Sequence, residues 1–216
     1  MQITRIVPAL PFKIEKRNRW SSLLFFILFV LVSQIAALSS PSYLWDDLVW
    51  YWTYHVDGDI ALYDLLTQVG HPAFWPFIDF AYRAFGESAT LPTTLISIVF
   101  HVANSFLIFR LMCWLRAGRV GAYLAFMLYL LSPYYFNRGT VSHYFYDVFM
   151  FFFLFSIYLG APSQKSRIKR FVAAPVLQIL YFGLPTLVML EPFRLAVHWV
   201  LCKYDWKKTA GSIAFY

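Results

Sequence analysis

Hydrophobic residues in this chain come in long, nearly unbroken runs, and polar residues are gathered into the gaps between them. The first run, residues 20–39, follows a basic stretch holding Arg5, Lys13, Lys16, Arg17 and Arg19. A secretory signal also opens on basic residues, but its apolar core is about 7–15 residues, whereas about 20 are needed to cross about 30 Å of hydrocarbon. The run therefore predicts an uncleaved first span, with Gln34 and the small Ala36-Ala37 near its end leaving cleavage as the lesser alternative. Residues 41–90 then change character. Leu44, Leu48, Val49, Trp52 and Val56 recur near helical spacing, Asp57-Gly58 supplies a turn, and Ile60, Leu65, Leu66 and Val69 form a second short stripe. Two helices lying along a membrane interface are predicted, with Trp and Tyr at headgroup depth. His71-Pro72 breaks the run, and residues 74–85 make a third amphipathic piece. Further spans are expected at 91–115, at 120–136 after a turn at Gly118, at 143–159, and at 171–190, where Pro175 and Pro185 should introduce kinks. Residues 193–202 are too few to cross alone and read as the start of a sixth span or a re-entrant turn.

Composition strengthens this reading. Of 216 residues, 60% are hydrophobic, 21% aromatic and only 13% charged, against an apolar share of about 45–50% in soluble domains. The expected fold is all-α, a polytopic transmembrane bundle of five to six spans with amphipathic interface helices in its first outer loop. It forms one membrane domain over residues 1–216. The formal charge of +7 would suggest a nucleic-acid partner in a soluble protein, but the basic residues here lie in short blocks between apolar runs, so no nucleic acid is expected. With a cytosolic amino terminus, Lys and Arg fall inside except at Arg83, Arg138 and Arg194, and acids fall outside except Glu15 and Asp205, as the positive-inside rule requires. Cys113 and Cys202 then lie at cytosolic helix ends, where a disulfide is not expected. No internal repeat or soluble domain is evident.

Candidate chemistry is concentrated in the outer loop. Asp46, Asp47, Asp57, Asp59 and Asp64 stand there among Trp45, Trp50, Trp52 and Trp75. Helical neighbours lie about 100° apart, so Asp46 and Asp47 cannot both face one way; taken alone, they would serve as acids near a helix amino end. Asp57-Gly58-Asp59 spells a weak divalent-metal motif that is equally an ordinary turn. His143 and Asp147 are four apart and would share a helix face. Glu191 is costly at membrane depth unless paired. His101 and Asn104, deeper in a span, suit hydrogen bonding between helices. No phosphate loop, zinc spacing or nucleophile elbow is present.

Taken together, a first span, an outer loop opening with Asp46-Asp47, amphipathic helices, and Gly70-His71-Pro72 ahead of the second span resemble the GT-C class of membrane glycosyltransferases, which take sugars from polyprenyl-phosphate carriers. The resemblance covers topology over most of the chain, and its residue-level part is these two short elements. Many members are considerably longer, which leaves open whether residues 1–216 correspond to the amino-terminal part of a longer family chain. The resemblance implies that Asp46 or Asp47 is the base that takes the acceptor's proton. Phosphate is then to be held by Arg138 and Arg194, since an arginine offers a bidentate fork. His71, His143, Asp147 and Glu191 are further substrate-binding candidates, and Trp45 and Trp75 candidates for stacking on sugar. Lipid-headgroup contact for Arg138 and pairing with Glu191 for Arg194 are the plain alternatives. Partners would be membrane lipid, the polyprenyl-phosphate donor, and a glycan, lipid or protein acceptor on the extracytosolic face. No cofactor is expected, and Asp57 and Asp59 are only weak candidates for a divalent metal. The competing readings are a non-enzymatic subunit with a membrane-protein partner and, less favoured, a transporter of lipid-linked solutes, which would carry its ionisable groups nearer the midplane.

Overall fold

A computed structural model of the chain describes residues 28, 29, 32, 45–132, 141, 144–161, 168, 172–181, 189–205, 207 and 209. The chain divides into two compact units, residues 1–33 and 34–216. In the first, Leu28, Phe29 and Val32 are helical; the rest of the span expected at 20–39 lies outside the described residues. Among the described residues every regular element is helical and no strand occurs.

The second unit opens with α1, Trp45–Trp52, which runs on into a π-helical turn, Thr53–Asp57. Gly58 ends it with φ of 97°. Only glycine takes that backbone without steric cost; the space around it is open. Helix α2, Asp59–Gln68, begins on an acid, which suits the positive end of the helix dipole. His71 and Pro72 then turn the chain through a 3-10 segment, Pro72–Phe74, into α3, Trp75–Phe85. Pro76 lies in the first turn of α3, where its missing N–H would have had no helical partner anyway.

After a short 3-10 turn comes α4, Thr90–Trp114, of 25 residues. At about 1.5 Å per residue it is about 37 Å long, and it is the one helix among the described residues long and apolar enough to cross a membrane. Among the described residues four shorter helices follow: α5, Gly118–Leu130; α6, Tyr144–Gly160; α7, Ala174–Tyr181; and α8, Glu191–Leu201. Pro175 falls in the first turn of α7, directly after π-helical residues 172 and 173. Pro185 lies outside the described residues.

Helix α4 packs along both α5 and α6, and α6 packs on α7. The loop helices close over the amino end of α6. Phe74 meets Phe145 with ring centroids 4.4 Å apart, Phe77 meets Phe149 at 5.0 Å, and the Tyr144 hydroxyl donates to the Phe77 carbonyl at 2.6 Å. Phe145, Phe149, Phe153 and Ile157 continue this buried spine down α6.

The apolar positions of the loop helices divide between core and surface. On α2 the buried pair is Leu62 and Leu66, one helical turn apart, while Ile60 and Val69 point outward. On α1 and its π-turn the aliphatic positions Leu48, Val49 and Val56 are exposed together with Trp52, and the side packed on the core carries Trp50, Tyr51 and Tyr54. Helix α4 divides differently. Thr93, Thr94, Ser97, His101, Asn104 and Ser105 are buried, while Leu91, Leu95, Val99 and Phe106 are exposed.

Candidate functional site

Three polar groupings stand out. The first lies across the loop helices. Arg83 on α3 donates from Nε to Asp79 Oδ1 at 2.7 Å and from a terminal nitrogen to Asp59 Oδ2 at 2.8 Å. It thereby ties α3 to the start of α2. The Tyr54 hydroxyl donates to the same Asp79 oxygen at 3.1 Å. Burial lifts the Tyr54 hydroxyl above the ordinary tyrosine range; Arg83 opposes the shift and Asp79 adds to it. Beside this knot Tyr51, Tyr54, His55 and Tyr82 form a ring cluster with centroids 4.4–5.9 Å apart. Trp75 Nε1 donates to the Asp59 carbonyl at 3.1 Å, and its ring meets Tyr63 edge-on.

His71 sits between the loop and the bundle. Its N–H donates to the Leu66 carbonyl at 2.7 Å, and its ring stacks on Phe74 at 4.7 Å with planes 6° apart. The Phe74 ring in turn touches Phe145 and Tyr146 at the head of α6. His71 Nδ1 is buried and has no hydrogen-bond partner among the described residues. The main-chain bond already satisfies the turn, so the imidazole is left with a polar atom to offer.

The second grouping is a buried seam between α4 and α6. The Ser97 hydroxyl donates to Asp147 Oδ2 at 2.5 Å, His101 Nδ1 stands 3.4 Å from Asp147 Oδ1, and the Asn104 side-chain amide donates to the Asp147 carbonyl at 3.0 Å. His101 Nε2 faces the Leu130 carbonyl of α5 at 3.3 Å, and its ring stacks on Tyr129. All of Ser97, His101, Asn104 and Asp147 are buried. Polar side chains at this spacing along α4 (positions 97, 101 and 104) lie on one helix face, and the acid of α6 meets them there. A carboxylate so enclosed is held by hydrogen bonds, as burial demands.

The third grouping joins α7 to α8. Arg194 donates from Nε to Glu191 Oε2 at 2.7 Å and from a terminal nitrogen to Gln178 Oε1 at 2.9 Å. The guanidinium is buried, and its charge is balanced within its own helix while Gln178 anchors it across to α7.

Of the residues singled out in the sequence, the structure brings Arg194 to Glu191 and Trp75 to Asp59. Trp45, Asp46 and Asp47 occupy the opening turns of α1, and their side chains, like Arg138 and His143, lie outside the described residues. Asp57 is exposed at the end of the π-turn, and Asp59 is engaged by Arg83 and by the Ile60 N–H. Among the described residues no group of three or more His, Cys, Asp and Glu could hold a metal ion. Sequence reasoning missed Ser97, Gln178 and the Tyr54–Asp79–Arg83 knot. An ionisable residue inside an apolar run signals a needed partner, and asking what would pair with Asp147 points to the polar face of α4.

Compared with known protein families, with curated proteins and with solved structures, the chain matches none. The functional reading therefore rests on its own residues.

Proposed function

We infer that this chain is a membrane glycosyltransferase of the GT-C type, moving a sugar from a polyprenyl-phosphate carrier to an acceptor on the extracytosolic face. The amino terminus is cytosolic, the spans number five to six, and α1 to α3 form the outer loop at the interface. The observation that carries this reading is the arrangement of residues 45–88: short helices packed over the head of α6, led by the acid pair of α1 and immediately preceding α4, a helix of membrane-crossing length. The inverted face of α4, polar inside and aliphatic outside, supports a lipid surround, because lipid tails reward exposed Leu and Val as water does not. Trp52, Val56 and Ile60 are placed to enter the interface.

In this mechanism Asp46 or Asp47 accepts the proton of the acceptor hydroxyl as its oxygen attacks the anomeric carbon, and the lipid phosphate departs with the bonding electrons. Arg138 and Arg194 stabilise that phosphate, His71 Nδ1 contributes one further hydrogen bond, and the loop tryptophans stack on sugar. A positioned general base is worth about 10²–10⁴-fold. The test is transfer from a polyprenyl-phosphate sugar by the full chain in membranes: Asp46→Asn, or failing that Asp47→Asn, loses at least a hundredfold while helicity is retained. Undiminished transfer by both variants refutes the assignment.

One observation favours the second reading, a non-enzymatic membrane subunit. Arg194 and Asp147, two of the proposed substrate contacts, are already engaged by neighbours of this chain. That reading requires both aspartate variants to be silent and a partner protein to accompany the chain through purification.

A further inference from the structure

Helices α4 and α8 end beside one another, and their carboxyl ends border an open cavity of about 620 Å³ lined by residues 114–116 and by Val200, Leu201, Lys203 and Tyr204. Among the described residues three that are not glycine have positive φ: Arg116 at 61°, Lys203 at 58° and Tyr204 at 63°. All three line this cavity.

Arg116 and Lys203 occupy equivalent places. The Arg116 N–H donates to Cys113 and the Ala117 N–H to Met112, at 3.2 and 3.1 Å; the Lys203 N–H donates to Val200 and the Tyr204 N–H to Trp199, at 3.0 and 2.9 Å. Each is the left-handed closing residue of its helix, a position glycine usually fills because a side chain there crowds the following carbonyl. A cation at a helix carboxyl end is favoured by the dipole. The dipole is served as well by a cation one residue earlier on ordinary helical backbone. Left-handed backbone at two cationic positions that face one cavity is what the dipole leaves unexplained, and strain of this kind marks ligand-holding sites.

The walls define the ligand. Arg116 and Lys203 are exposed cations, and the remaining lining is aromatic or aliphatic. The Trp114 ring is held from behind by Tyr158, stacked at 4.8 Å with planes 8° apart, and Tyr204 stands edge-on to Trp199 at 5.2 Å. Asp205, next in sequence, is not part of the lining. Two cations over an apolar floor suit an anion that carries its own apolar body.

We propose that this cavity binds a phosphate group borne on an apolar body, in the first place the headgroup of an anionic membrane phospholipid. Arg116 and Lys203 meet the phosphate oxygens, and an acyl chain lies against Leu115, Val200 and Leu201. The proposal rests on the ends of α4 and α8 and makes no use of glycosyl transfer.

The test uses the full chain in neutral detergent, titrated with phosphatidylglycerol, phosphatidylcholine or inorganic phosphate, with bound molecules counted by native mass spectrometry. Arg116→Gly and Lys203→Gly keep the left-handed turns and remove the charges. The wild type should retain phosphatidylglycerol in preference to phosphatidylcholine. At about 1 kcal/mol per cation, each variant weakens that binding about fivefold and the double variant about thirtyfold, while the thermal midpoint holds or rises. Arg116→Gln with Lys203→Gln, which leaves the backbone preference unchanged, should show the same loss. Binding of inorganic phosphate that is lost in the double variants, without lipid preference, assigns the same cations to a soluble phosphate ester. Equal binding of the two lipids, unaltered in either double variant and with no binding of phosphate, overturns the proposal.

Discussion

Both carboxylate oxygens of Asp147 have neighbours to meet, Ser97 on one and His101 on the other, in a place sealed from solvent. Removing one side of such an arrangement leaves buried polar groups unsatisfied, which costs about 1–3 kcal/mol. Asp147→Ala should therefore lower stability by about that amount, and Ser97→Ala by about 1 kcal/mol as one lost hydrogen bond; thermal unfolding in detergent reads both. Tyr54 makes a smaller contribution with a definite pH dependence. Its raised pKa means that folding favours the neutral hydroxyl that donates to Asp79. The contribution is fully present below about pH 10, the unfolded value, and is lost as pH rises through the higher folded value. Tyr54→Phe should cost about 1 kcal/mol at neutral pH and flatten the alkaline fall of the unfolding midpoint. A midpoint curve identical to wild type above pH 10 would contradict this.

Elements differ in how far they could be read in advance. The breaks were legible because each has a local cause: Gly58 needs positive φ, Pro72 and Pro76 start helical segments, and Gly118 opens α5. Thr90–Trp114 was legible for its length and its high apolar content. The buried face of α4 was not: its aliphatic Leu91, Leu95 and Val99 look outward while Thr93, Ser97, His101 and Asn104 look in, so an apolar stripe does not mark its packed side. The partners of Asp147 were not legible either. A helix period proposes a neighbour four residues away, whereas Ser97 is 50 residues away on another helix. The joint between loop and bundle depends on Phe145, which is fully buried against Phe74. Phe145→Ala should cost about 3–5 kcal/mol and release α1 to α3 first, seen as faster proteolysis within residues 45–88. Unchanged proteolysis there would mean that the clamp lies elsewhere.

For the molecule as a whole, the proposed function requires that the two ends of α4 meet opposite sides of a membrane. The loop helices join it at Thr90, and Cys113 lies near its far end, about 35 Å away along the axis. Cys113 and the loop residue Val56 are both exposed, so the two ends can be addressed separately. The most direct measurement is labelling of intact cells with a membrane-impermeant maleimide, with Cys202→Ser in both proteins, comparing Val56→Cys in a Cys113→Ser background with the native Cys113. An outer active loop predicts that residue 56 reacts in intact cells and Cys113 only after permeabilisation. Reaction of both from the same side, or of Cys113 alone from outside, would contradict the proposed enzyme.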